Sequence, residues 1–236
     1  MKFTTAACVG ALAALVLLPR VALAQGGGAN PGPPSSGLPS VIPLFPLESP
    51  TLFPNGSFPL HIFEPRYRAM IADALKGDRI IGMVMLEPGH ESEYEGRPPI
   101  FPIGCAGLIT DYEQLPDGRY NIVLGGLVKF RVTGEDNSRP YRLGRVETIP
   151  EVLDDRGTEA LRQERERLTS LMSALYDQFG FPDPPPGVPD EQVVDELAEH
   201  LPLAPLARQG LPEQESPLAR ASTLVKVLEA VLKAPR

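Results

Sequence analysis

Tyr120-Asn121-Ile122-Val123-Leu124-Gly125-Gly126-Leu127-Val128-Lys129-Phe130-Arg131-Val132 places apolar side chains at 120, 122, 124, 128, 130 and 132. A two-residue period marks a half-buried β-strand, with Lys129 and Arg131 pointing the other way. Gly125-Gly126 sits where a bend or bulge lets one sheet curl toward a barrel. Upstream, Pro116-Asp117-Gly118 reads as a turn between strands.

Working outward, the pattern predicts further strands over 41–45, 58–62, 80–86, 101–111 and 142–148, with 120–124 and 128–133 on the two sides of the glycine pair. The run from Ile80 to Leu86 is continuously apolar. One helix interrupts the strands over 64–75, with Pro65 in its first turn and Gly77 ending it. Beyond about 155 the period becomes helical. Leu161, Leu168, Leu171 and Leu175 share a face, and charges alternating from Arg162 to Arg167 can pair at i,i+4. Asp190 is read as the cap of a short helix carrying Val193, Val194, Leu197 and Leu201. Ser216-Pro217 opens another with Leu218, Val225, Leu228 and Leu232. The expected fold is α+β: a small curled β pseudo-barrel over 41–150, followed by a C-terminal helical bundle over 151–236. A Pro-rich break at 181–189 divides the bundle.

The ends read differently. Residues 1–24 contain no Asp or Glu and run from Lys2 through an apolar stretch to Ala22-Leu23-Ala24. That is the layout of a signal peptide, with cleavage expected after Ala24. The expected location is periplasmic or secreted, and cytoplasmic if the start site is misassigned. Membrane contact is expected only through an uncleaved signal segment. Residues 25–40 are rich in Gly, Pro and Ser and read as a flexible linker. Removal of Cys8 leaves Cys105 alone, which excludes an intramolecular disulfide and a cysteine-based metal site. Cys105 lies in an apolar run and is read as a small buried hydrophobe.

The 236 residues carry a net charge of −8, with no basic run longer than two, which argues against nucleic acid. The 28 prolines and 22 glycines lack a collagen-like period, and an apolar fraction of 42% suffices for a core. His61, His90 and His200 are dispersed without metal-ligand spacing, so His61 reads as a strand residue pairing with a neighbour. The acidic cluster Glu87, Glu91, Glu93 and Glu95 lacks the calcium-loop pattern and reads as a solvated loop. Neither a Gly-x-x-x-x-Gly-Lys-Ser/Thr phosphate loop nor a Gly-x-Ser-x-Gly elbow occurs.

Several ordered segments resemble one family. They are Ile42-Pro43-Leu44-Phe45-Pro46-Leu47, Leu52-Phe53-Pro54-Asn55-Gly56, Pro59-Leu60-His61-Ile62-Phe63-Glu64-Pro65-Arg66-Tyr67-Arg68, Pro102-Ile103-Gly104-Cys105-Ala106-Gly107-Leu108-Ile109, and the hairpin 115–132. Together with a helical part through Leu211-Pro212-Glu213-Gln214-Glu215-Ser216, they resemble the amino-terminal substrate-binding domain of Lon proteases over about 41–232. The resemblance implies a pseudo-barrel packed on helices that binds unfolded or degron-bearing polypeptide. It implies neither ATP use nor peptide hydrolysis by this chain alone, because the ATPase and serine–lysine protease segments are not among its residues. The expectation is a non-enzymatic binding module with no cofactor, catalytic residue or metal, serving as an adaptor or quality-control factor. The alternative is a peptidase or esterase with a dispersed site.

The block 58–67 mixes aromatic, basic and acidic residues at a strand-to-helix junction. Its structural reading packs Ile62 and Tyr67 in the core, with Glu64 and Arg66 tying down the helix start. Its functional reading sets His61, Phe63 and Arg66 on the rim of a peptide-binding groove, the aromatic anchoring apolar segments and the arginine pairing a carboxylate.

Overall fold

Strand β5, Tyr120–Asp136, spans the whole opening stretch and carries the sheet. The computed structural model describes residues 37–48, 52–90, 96–175, 184 and 186–233. The other strands are β1 (Val41–Leu47), β2 (Ser57–Ile62), β3 (Ile80–Met85), β4 (Ile103–Gln114) and β6 (Arg142–Ile149). The order is β2-β5-β4-β3-β1-β6, and β5 also pairs with β6, so five strands close into an irregular ring with β2 attached to β5. β1 and β3 are parallel, and the other pairs are antiparallel.

The closure depends on β5 changing neighbours along its length. Residues 120–125 pair with β2 and residues 129–136 with β6, while β4 runs along the other side. Register shifts interrupt the β4–β5 ladder where Ala106 and Gly107 face Val128 and Gly126, so Leu127 is the extra residue. The bulge increases the local twist where the strand changes partner. Gly126 has a second task. Its N–H donates to the Gly56 carbonyl at 2.9 Å, its carbonyl accepts from Asn55 N at 3.1 Å, and a Cβ there would collide with the Phe53 carbonyl oxygen. The 52–56 turn can therefore lie directly on β5.

β3 is buried along its full length, as its continuous apolar run predicts. Ile81 and Met83 face a layer containing Phe45, Leu52, Ile62, Tyr67 and Met70. Ile80 and Val84 join Ile42, Leu44 and Phe130 on the opposite face. Helix α1, Pro65–Ala74, begins at its proline and covers the first layer with Tyr67, Met70, Ile71 and Ala74. It stops before Gly77, and the left-handed turn that follows falls on Arg79 (φ 59°) instead of that glycine. Cys105 is buried, as expected, and burial pushes its thiol up.

The helical part comprises α2 (Asp155–Ala174), α3 (Asp190–His200), α4 (Pro205–Gln209) and α5 (Pro217–Lys233). Asp154 caps α2 by accepting from Gly157 N at 2.7 Å, and Ser216 Oγ accepts from Ala219 N at 3.2 Å at the start of α5. Asp190 does not cap α3. It is the first helical residue after Pro189, and its carboxylate lies 3.5 Å from Arg165. On α2 the ion pairs within the helix are Arg162–Glu159 and Arg167–Glu164 at i,i+3, not i,i+4. Leu161, Leu168 and Leu175 are buried with Met172, and Leu171 is partly buried.

Two devices join these helices to the sheet. Phe53, projecting from the turn held on Gly126, is fully buried among Leu161, Leu168, Val194 and Leu224. Beside it lies a buried charge cluster. Arg220 of α5 binds both oxygens of Glu151 at 2.9 and 3.0 Å and Asp195 of α3 at 2.7–2.8 Å. Lys129 of β5 reaches Glu151 at 2.8 Å and donates to the Gln214 carbonyl at 2.6 Å. The sequence places Lys129 on the outer face of its strand, but at 1% exposure it lies beneath the helical part. Arg131, two residues on, is exposed.

The expected signal peptide lies outside the described residues, as do most of the 25–40 linker and part of the Pro-rich break. Leu38 already packs on the sheet, and the Ser40 carbonyl accepts from Val146 N at 2.9 Å. No helix among the described residues is long and apolar enough to cross a membrane.

Arg220→Ala leaves buried Asp195 and largely covered Glu151 with Lys129 as the remaining cation. It is expected to cost about 3–5 kcal/mol by urea denaturation. Lys233→Ala, which removes an exposed pair to Glu229, is expected to cost less than about 0.5 kcal/mol. Glu199 of α3 is 7% exposed, and its Oε2 has no hydrogen-bond partner among the described residues. Burial, with Asp195 and Glu196 adding and Arg208 opposing, pushes its carboxyl up to about 7. A carboxyl raised in the folded state contributes stability that is complete below about pH 4.5 and lost as pH rises through about 7. Asp195, raised to about 7 by burial, acts in the same direction. Thermal melts of Glu199→Gln should exceed those of the parent near pH 8 and converge with them near pH 5.

Candidate functional site

The alternation along β2 sends Ile62 into the core and exposes Ser57, Pro59 and His61. Register places His61 opposite Asn121 and Asn121 opposite Glu113, so the three form one cross-strand row. His61 Nδ1 lies 2.7 Å from Asn121 Oδ1, and Asn121 Nδ2 donates to Glu113 at 3.0 Å. Arg119, itself paired with Asp117 at 2.7 Å, places Nη1 3.2 Å from His61 Nε2. Oδ1 can only accept and the guanidinium only donate, so this pattern fits the neutral Nδ1–H tautomer. Both ring nitrogens of His61 therefore serve the polar row.

Phe63 leaves the strand just before α1. Its side chain is 61% exposed, and its ring stacks near His61 with centroids 6.3 Å apart and planes 26° apart. An aromatic this exposed is a candidate anchor for an apolar side chain. β2 pairs with β5 alone among the described residues, so one edge of this strand carries no ladder.

Arg66 is directed elsewhere. Its Nε donates to Glu64 at 3.0 Å, and its guanidinium lies 4.7 Å from the Tyr67 ring centroid. It lines a cleft of about 220 Å³ to which His61 and Phe63 do not contribute. The structure thus brings His61 and Phe63 together on one surface and places Arg66 at a second. Ile62 and Tyr67 are core residues, as the structural reading of this block requires.

A larger cavity, about 500 Å³, opens between the sheet and the helices beside the buried charge cluster. Its wall sets Lys129 against Glu151, Asp190, Glu191 and Asp195, and Lys129 is committed to Glu151 and the Gln214 carbonyl. Excess carboxylate disfavours anionic ligands there. Sequence reasoning missed this site because its residues are spread over β5, the segment after β6, and α3. The available signal was a lysine inside an apolar strand facing a later run of helices. Three members of the acidic cluster, Glu91, Glu93 and Glu95, lie outside the described residues.

Residues 41–230 match the family model described as the ATP-dependent protease La (LON) substrate-binding domain. A Lon protease of Anaeromyxobacter dehalogenans is 28% identical over 154 residues, covering 63% of this chain and 18% of that protein. A Lon protease of Trichlorobacter lovleyi is 32% identical over 139 residues, covering 57% and 17%. The chain thus spans less than a fifth of these curated relatives. Among solved structures, a Lon N-terminal domain protein from Xanthomonas campestris aligns with a TM-score of 0.55 at 24% identity, covering 79% of this chain and 97% of that one. The N-terminal domain of a Mycobacterium avium complex Lon protease aligns at 0.59 and 14% identity, covering 80% and 98%. These structural likenesses show the same fold, and with the family match running through both the sheet and the helices, the chain belongs to the LON substrate-binding domain family.

Proposed function

We propose that this chain is a polypeptide-binding module that holds unfolded or degron-bearing segments without processing them. The observation that carries the reading is the match to a substrate-binding domain over residues 41–230. Phe63 and the unladdered edge of β2 support a location for binding. An extended segment can add its backbone along Ser57–Ile62 while an apolar side chain rests on the Phe63 ring. His61, held by Asn121 and Arg119, keeps that surface rigid. An adaptor or quality-control role follows from this reading. The composition of residues 1–24 supports action outside the cytoplasm.

Binding is tested by fluorescence anisotropy with a permanently unfolded protein whose thiols carry neutral caps. Phe63→Ala should weaken capture by about five- to tenfold, while the melting temperature stays unchanged because the side chain is exposed. Equal capture by this variant removes Phe63 from the site, and no capture by the parent protein refutes the module itself. Sequencing the amino terminus of protein recovered from its native host should return Gln25; an intact Met1 on soluble cytosolic protein would refute export.

A further inference from the structure

The cleft lined by Arg66 is built from five separated pieces of chain. Pro46 comes from β1, Arg66 and Tyr67 from the first turn of α1, and Leu86 from the residue after β3. Arg97 and its neighbours precede β4, and Tyr141 and Arg142 lie where β6 begins. Three guanidiniums therefore meet around about 220 Å³, and none of the described lining residues is an Asp or Glu. Among the described residues, Glu64 and Glu135 stand behind these arginines, so the cluster keeps one net positive charge in a chain whose net charge is −8.

Each arginine is held by its surroundings. Arg142, 6% exposed, donates to the Pro98 carbonyl and to Glu135 at 3.2 Å. Arg97 donates to Asn137 and, at 3.5 Å, to the Arg139 carbonyl, and lies 3.9 Å from Glu135. Arg66 is anchored by Glu64. A guanidinium fixed in this way is pre-oriented for a planar, two-oxygen acceptor. Burial lowers the proton affinity of Arg142; Glu135 opposes that effect, and the like charges of Arg97 and Arg66 reinforce it. An anion entering the cleft relieves that repulsion. The remaining wall, formed by Pro46, Tyr67, Leu86, Pro98 and Pro140, is apolar and suits the methylene groups next to such an anion.

We propose that this cleft receives a carboxylate of a bound polypeptide, supplied by its chain end or by an Asp or Glu side chain. The volume admits one such group and its stem, so the cleft reads a single position of the client. The proposal rests on the polypeptide-binding reading above and adds a charge preference to it.

The test uses anisotropy with the full chain and four labelled versions of one short peptide. One has a free carboxyl terminus and no acidic residue, one is amidated and neutral, one is amidated with a single internal Asp, and one is amidated with Asn at that position. A carboxylate-bearing version should bind about tenfold more tightly than its neutral counterpart, and added salt should reduce that difference. The first pair of peptides reports on a chain end and the second on a side chain. Arg142→Lys should abolish the preference. Because Arg142 is buried and could be needed for folding, Arg97→Gln, on a more exposed side chain, is measured in parallel with melting curves and should reduce the preference several-fold. Equal binding of all four peptides overturns the carboxylate site and leaves the module reading intact. No binding of any peptide, or of the neutral-capped unfolded protein, overturns both. Tight binding of inorganic phosphate without discrimination among the peptides overturns the carboxylate assignment in favour of a phosphate site.

Discussion

Four buried charges hold the two halves of this molecule together. Arg220 has no exposed surface and Lys129 almost none, so neither can be solvated, and each must find an anion inside the fold. Glu151 serves both, and Asp195 completes the set for Arg220. These partners come from the strand, the segment leaving the sheet, and two helices. Apolar surfaces tolerate sliding and repacking, whereas an uncompensated buried cation costs several kcal/mol. The cluster therefore specifies how the helices sit on the sheet more than it adds net stability.

Phe53 complements this constraint from the other direction. The turn that carries it lies on β5 because Gly126 has no side chain, and its ring enters the helical core beneath the Arg220 guanidinium, 5.3 Å from Cζ. A hydrophobic peg and an ionic clamp thus occupy neighbouring positions. With the joint fixed, the β2–α1 junction and the arginine-lined cleft inherit a rigid support.

The legible part of the sequence was what repeats along the chain. The period of 120–132 located β5, and the apolar run of 80–86 located a strand buried on both faces. Pro65 and Ser216 open helices where the sequence reading placed them, whereas the cap of α2 falls to Asp154, which that reading did not single out. The glycine pair was correctly placed at a bend, although its docking role depends on Phe53, more than seventy residues earlier. What escaped was set by contacts distant in sequence. Lys129 has the spacing of a solvent-facing residue, and its own strand does not reveal that Glu151 and the Gln214 carbonyl lie against it. His61, Phe63 and Arg66 lie within six residues of one another, but the strand-to-helix turn keeps His61 and Phe63 on one surface and sends Arg66 to another. Arg97 and Arg142, which share a cleft with Arg66, carry no local signal of that convergence.

The ring has a consequence for how the chain reaches its final form. β1 lies between β3 and β6, and its pairing with β6 joins residues about a hundred positions apart. Closing so large a loop is entropically costly and slow compared with forming the β4–β5 hairpin. During synthesis the first strand emerges well before its last neighbour exists. Until β6 arrives, one side of β1 has no partner, so the newly made chain passes through a stage in which its first strand offers an open edge to any other strand.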